Sequence, residues 1–334
     1  MESVTILIHF RTRPRKVKLN CHCCNGIAKR RGFYRNKNFN VQHFECLKCG
    51  TSFSDKQPLD NLRVDFKQAC RVLDLLGEGV GIRATSRLTG LHQQTVLNVL
   101  ARAGSKARRF LDATIKNVKP ESVQADETWC FVGCKEANNL TNDPFRGDQY
   151  FAYALDSGSK LIISYDLGRR SPLQTERLLT DLRLRVPDRF QLSTDGYEGY
   201  KTTSLRTLGK DIDFAQLIKL YANPKDGEGG SRRYSVTRCI GTRTVVRRGN
   251  PDPSRISTSF VERANLTNRL FNRRFTRLSL GYSKKIEYLR HSIDLFVFNY
   301  NFVKIHRTIG KTPAQAAGLS TNPMTFEQLL LTPH

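Results

Sequence analysis

No run in this 334-residue chain approaches the roughly 20 uncharged apolar residues that a membrane-spanning helix requires. The best N-terminal candidate, Val4 to Phe10, is seven residues long and meets charge at once, so neither a span nor a secretory leader is expected. Acidic residues are also in short supply, with 30 Asp and Glu against 55 Lys and Arg and a net charge of +25. An apolar content of 39% is nevertheless too high for a disordered basic tail, and the length is a prior for two or three domains. The excess charge is unevenly placed: residues 1–120 carry +15, residues 121–240 are neutral and residues 241–334 carry +10. Two basic flanks around a neutral middle concentrate a polyanion, which makes nucleic acid the leading partner over a merely solvated basic surface.

The nine cysteines have no secretory context, so they are expected as thiols or metal ligands and not as a disulfide framework. Cys21 and Cys24 form one C-x-x-C pair and Cys46 and Cys49 another, with 21 residues between. That spacing lets four thiolates meet around one structural Zn²⁺, as in a zinc ribbon. Cys23, His22 and His43 are spare donors, and four unliganded thiols are the alternative. Arg11, Arg13, Arg15, Lys16 and Lys18 precede the pairs and suit phosphate contacts.

Apolar residues at steps of three and four predict a helix over 60–76, stopped by Gly77 and Gly79. Next comes a short helix carrying Arg83 and Arg87, with Ile82, Ala84 and Leu88 expected inward, and the turn Thr89-Gly90-Leu91. A second helix then has Val96, Leu97, Val99 and Leu100 expected inward. This is helix-turn-helix spacing, and its exposed side offers His92, Gln93, Gln94, Thr95, Asn98 and Arg102 to base edges and phosphates. Residues 104–120 read as a basic linker ending at Pro120.

In the middle third, β-rich runs replace helical periodicity. Strands are expected over 123–132, 149–155 and 161–167, then a helix from Pro172, then a strand over 190–194 ending at Asp195-Gly196. Three strands, a helix and a strand describe an α/β sheet whose fourth strand can lie beside the first. Asp126 would then neighbour Asp195. Like charges that close need compensation, and all-oxygen ligands suit Mg²⁺ or Mn²⁺ in phosphoryl transfer. Glu262, the one acid in the arginine-rich helix expected over 257–275, qualifies as a third ligand. A turn aspartate is the plainer reading of Asp195. A last long helix over 283–304 carries the apolar stripe Ile286, Leu289, Ile293, Phe296, Val297, Tyr300 and Val303. His306 just beyond it suits a core or phosphate-contacting role.

The strings from Asp126 (DETWCFVGCKEANN), from Gly249 to Lys285 and from Asn299 to Leu319 are similar to those of DDE transposases of bacterial insertion sequences, of the insertion-sequence-one type. The resemblance implies a ribonuclease-H-like catalytic domain over 113–334; within it the Gly-rich stretch 226–230 and the basic stretch 232–248 read, from their residues alone, as a β-rich insertion near 223–256. A helix-turn-helix domain over 59–112 and a basic arm with zinc ribbon over 1–58 would precede it. It implies catalytic Asp126, Asp195 and Glu262 holding Mg²⁺ or Mn²⁺, and Arg269, seven residues beyond Glu262, reaching substrate phosphate. It further implies double-stranded DNA, both element ends and target, as partner, a homo-oligomer on DNA and a cytoplasmic, nucleoid-associated location. A DNA-binding regulator that keeps the fold without cleaving is the alternative.

Overall fold

The computed structural model describes residues 26–35, 40–54, 59, 62, 64–141, 143–221 and 239–332. Cys21, Cys24, the basic cluster 11–18 and the first part of the expected insertion, 223–238, lie outside them. The chain divides into two compact units, 1–61 with 333–334, and 62–332.

In the first unit β1 (Ala28–Arg35), β2 (Asn40–Cys46) and β3 (Ser52–Ser54) form an antiparallel sheet in that order. A bulge at Gly32, whose φ of 126° is open to glycine alone, shifts the β1–β2 register. Cys46 is buried at the end of β2, its Sγ accepting the Lys48 N–H at 3.3 Å. Exposed Cys49 follows in the turn to β3, with Sγ 3.2 Å from Thr51 Oγ1.

The second unit opens with three helices. Asp65 caps α1 (Phe66–Gly77) by accepting the Gln68 N–H at 3.0 Å. α2 (Ile82–Thr89) ends at Gly90 in the left-handed region (φ 71°), and α3 (Gln93–Thr114) follows. The inward face of α2 is rotated from expectation: Thr85 is fully buried and Leu88 is exposed. Val96, Val99 and Leu100 of α3 are buried as expected. Residues 104–114, expected as linker, continue the helix and bury Ala107, Leu111 and even Lys106, whose ammonium bonds the Leu330 and Thr332 carbonyls at 2.6 and 3.0 Å.

A six-stranded mixed sheet forms the centre. Its strands are β4 (Val123–Val132), β5 (Gly147–Asp156), β6 (Ile162–Gly168), β7 (Phe190–Thr194), β8 (Ile212–Tyr221) and β9 (Cys239–Arg248), ordered β6-β5-β4-β7-β8-β9. β4, β5 and β6 pair antiparallel, β7 joins β4 in parallel as the strand order predicts, β8 joins β7 in parallel and β9 returns antiparallel. This order, with crossover helices α4 (Pro172–Arg185) and α5 (Glu198–Leu208), is consistent with a ribonuclease-H-like core. Alternation on β6 shows the two covered faces: Ser164 bonds the Leu178 carbonyl of α4, and Tyr165 bonds Asp294 of α7 (Ile286–Phe298) at 2.7 Å.

On the α7 side, α6 (Ser259–Phe271) crosses β4 and β5, and Phe151, Tyr153, Phe275 and Phe296 pack between the layers. α7 carries the expected stripe and widens into a π turn over Asn299–Val303. There the Asn301 carboxamide bonds both backbone groups of Ile162, N–H at 3.0 Å and C=O at 2.9 Å, on the outer edge of β6. His306 packs edge-on against Tyr300, with Nε2 3.1 Å from the Tyr300 carbonyl, which is a core role. Two short helices, α8 (Pro313–Ala316) and α9 (Phe326–Leu331), each begin with a capping box, at Thr312 and Thr325.

Candidate active site

Three alternate residues of β4, Gln124, Asp126 and Thr128, are polar where an apolar strand face would be expected, and all point at α6. Buried Gln124 accepts the Phe260 and Val261 N–H groups at 3.0 and 3.1 Å, satisfying first-turn donors of α6 that Thr258 leaves uncapped. One helical turn on, Asn265 donates to Asp126 Oδ2 at 2.7 Å, while its own Oδ1 accepts from Tyr153 at 2.7 Å and from Thr128. Since Oδ1 is committed to two hydroxyl donors, the amide can present only N–H to Asp126.

Asp195 follows the last residue of β7. Its Oδ1 accepts the Tyr197 N–H at 2.9 Å, the turn contact that an Asp-Gly pair predicts. Buried Gln216 of β8 grips the same turn through the Asp195 and Tyr197 carbonyls at 2.8 and 3.1 Å. The β4–β7 ladder stops at the pair Ala125 and Thr194. Beyond it β4 has an open edge, and there Asp126 and Glu127, leaving the strand on opposite faces, converge on Asp195. One ligand oxygen from each of Asp126, Glu127 and Asp195 lies within 4.8 Å of the others.

The electrostatics follow from this crowding. Burial, then Asp195, push the Asp126 carboxyl up to about 6 against the opposing hydrogen bonds from the Glu127 N–H and Asn265. Burial and then Asp195 lift Glu127 to about 7, and Arg170 opposes the shift. Arg170 is the local counter-charge, 3.2 Å from Glu127 and 3.7 Å from Asp195, with its guanidinium 4.0 Å above the Tyr197 ring. Fully buried Tyr200 closes the α5 side, its hydroxyl facing the Glu127 carboxyl and opposing that group's upward shift.

Of the acids read from the sequence, Asp126 and Asp195 are brought together. Glu262 sits one turn before Asn265, near enough for its charge to raise Asp126, but its Oε1 is held by Lys219 at 2.5 Å and Thr258 at 2.6 Å. Arg269 is half-buried; burial and then Arg277 lower it, and the Asp126 carboxylate opposes the shift. Glu127, Arg170, Lys219 and Asn265 were not singled out by the sequence reading. The alternating polar residues of β4 are the signal that could have pointed to the α6 contacts.

On the helical pair, Arg83, Arg87, His92, Gln93, Gln94 and Arg102 are exposed, and Thr95 and Asn98 are half-exposed. His92 caps α3 through the Gln94 N–H at 3.2 Å, and the Gln94 amide donates to Asn98 at 2.9 Å and to Tyr288 at 3.0 Å.

No protein-family model and no curated protein matches the chain. Among solved structures it is similar to a chain in the crystal structure of a pre-cleavage Mos1 transpososome, at 13% identity over 45% of this chain and 58% of that one, with a TM-score of 0.19. The chain thus spans less than two thirds of that protein, and so slight a likeness carries no inference.

Proposed function

We propose that the chain is a DNA strand-transfer enzyme of the transposase kind, cutting and joining DNA by metal-dependent phosphoryl transfer at Asp126 and Asp195. The observation that carries this reading is the convergence of three carboxylates within 4.8 Å in a chain of net charge +25. Bare carboxylates at that separation repel, and an all-oxygen donor set suits Mg²⁺ or Mn²⁺. Asp126 and Asp195 would hold the ion, which when bound polarises a phosphoryl oxygen and lowers the pKa of an attacking hydroxyl. The chain's own groups prepare the site: Asn265 fixes the orientation of Asp126 and Gln216 fixes the Asp195 turn, and Arg269 would contact the substrate phosphate. Glu127 and Glu262 are the two acids available as third ligand, the first already in the cluster and the second after release from Lys219.

In the same reading α2 and α3 recognise the terminal inverted repeats through Arg83, Arg87, His92, Gln93, Gln94, Thr95, Asn98 and Arg102. Gln94 and Asn98 exchange their mutual bond for base edges. Cys21, Cys24, Cys46 and Cys49 hold a structural zinc, and two or more copies assemble on paired ends.

The test is strand transfer on duplex DNA carrying the element's ends. Asp195→Asn keeps the acceptor for the Tyr197 N–H, and so the turn, while removing a ligand charge; transfer should fall by several orders of magnitude with end binding retained. Glu262→Gln should be as damaging. If Glu127→Gln alone abolishes transfer, the third ligand is Glu127. The Lys219–Glu262 ion pair favours one other reading, a regulator that binds without cleaving, which requires the wild type to be inert with every divalent ion tried.

A further inference from the structure

The acid cluster has an aromatic approach. Trp129 and Phe131 follow Glu127 on the same face of β4, the face opposite Asp126. Their rings are 5.6 Å apart, and Phe131 lies 4.5 Å from Tyr282, which a bridge between Val132 and Ser283 holds against the end of the strand. Tyr150, the cross-strand partner of Trp129 on β5, adjoins the row. Aromatic side chains on a covered sheet face are ordinarily buried, yet Trp129 is 37% exposed and Phe131, Tyr150 and Tyr282 are half-buried. α4 reaches only as far as the Tyr150 carbonyl, which Gln174 of its first turn bonds at 2.7 Å.

Cations bracket the row. Arg170 stands at the cluster end, 4.0 Å above Tyr197 and 5.9 Å from Tyr150, and Lys284 at the far end, 3.9 Å above Tyr282. Glu127 to Phe131 spans about 13 Å at about 3.3 Å per residue, room for about two nucleotides of an extended strand. Rings that accept any base face, flanked by cations, are how proteins hold single-stranded nucleic acid without reading its sequence.

We propose that Trp129, Phe131 and Tyr282 form a stacking platform for unpaired bases, guiding a single DNA strand to the acid cluster. This rests on the reading of that cluster as a phosphoryl-transfer site, but it is tested without cleavage. Trp129 is the sole tryptophan of the chain, so its emission reports the platform directly. The full chain, without added magnesium, is titrated with a fluorescein-labelled thymidine 12-mer and with a 12-mer of abasic residues carrying the same phosphates.

Thymidine should quench Trp129 and bind about tenfold or more tighter than the abasic strand by anisotropy, and Tyr282→Leu should erase most of that difference. Equal affinity for the two strands, or saturated binding with Trp129 emission unchanged, overturns the proposal. The wild-type comparison needs no variant to fold. Asp195→Asn should leave the quenching intact, so a failed cleavage assay and a failed platform are separable results.

Discussion

At the scale of single residues, the site sets its own pH window. Burial holds Asp126 near 6 and Glu127 near 7, well above the usual carboxylate range. A carboxyl raised on folding lends stability that is fully present below its unfolded value, near 4, and lost as pH rises through its folded value. The metal-free fold should therefore lose stability as pH climbs from about 4 to about 7. A divalent cation relieves the charge left behind, so its affinity should climb through the same window and level off above about pH 8. Calorimetric titration of Mg²⁺ in buffers of differing ionisation enthalpy should show proton release at pH 6 and almost none at pH 8; an affinity that ignores pH would contradict the site. Asp126 and Asp195 were legible because one lies in β4 and the other just past β7, adjacent parallel strands that order alone suggests. Glu127 was not, since alternation sends it to the other face and only the end of the β4–β7 ladder lets it return.

Among elements, the β-strands of the centre were readable from runs bounded by turn residues, and α4 from Pro172 at its first position. The length of α3 was not. Gly104 and the basic residues after it look like a linker, but the glycine is there for contact: a Cβ would lie 2.6 to 2.7 Å from His291 Cβ, Cα and backbone oxygen. Gly104→Ala gains about 1 kcal/mol of helix propensity, yet the obstacle is mainly the backbone of α7, which cannot swing aside as a side-chain tip would. Overpacking typically costs about 1–3 kcal/mol, so net destabilisation is expected by chemical denaturation. A more stable variant would mean that α3 and α7 slide apart freely. The face of α2 was misjudged for a related reason: a short helix between two turns is oriented by its neighbours, and Thr85 is buried where Leu88 was expected.

For the whole molecule, the sequence made the charge asymmetry and the two C-x-x-C pairs plain, since both depend on composition and spacing alone. Binding to duplex DNA should weaken by about 10³- to 10⁵-fold between about 50 and 200 mM salt if about six to ten phosphates are contacted; a flat response would remove the basic flanks from DNA contact. The purified chain should carry about one zinc, and Cys46→Ser should lose it and loosen the sheet of the first unit, as read by protease sensitivity. The sheet of the larger unit also has a free margin at β6, and Asn301 changes what that margin can do. By bonding both the N–H and the C=O of Ile162, its carboxamide stands in for the first residue of an absent neighbour. A strand from another copy is denied the rung at which pairing would begin, so one side chain from the π turn caps this sheet edge against templated strand addition.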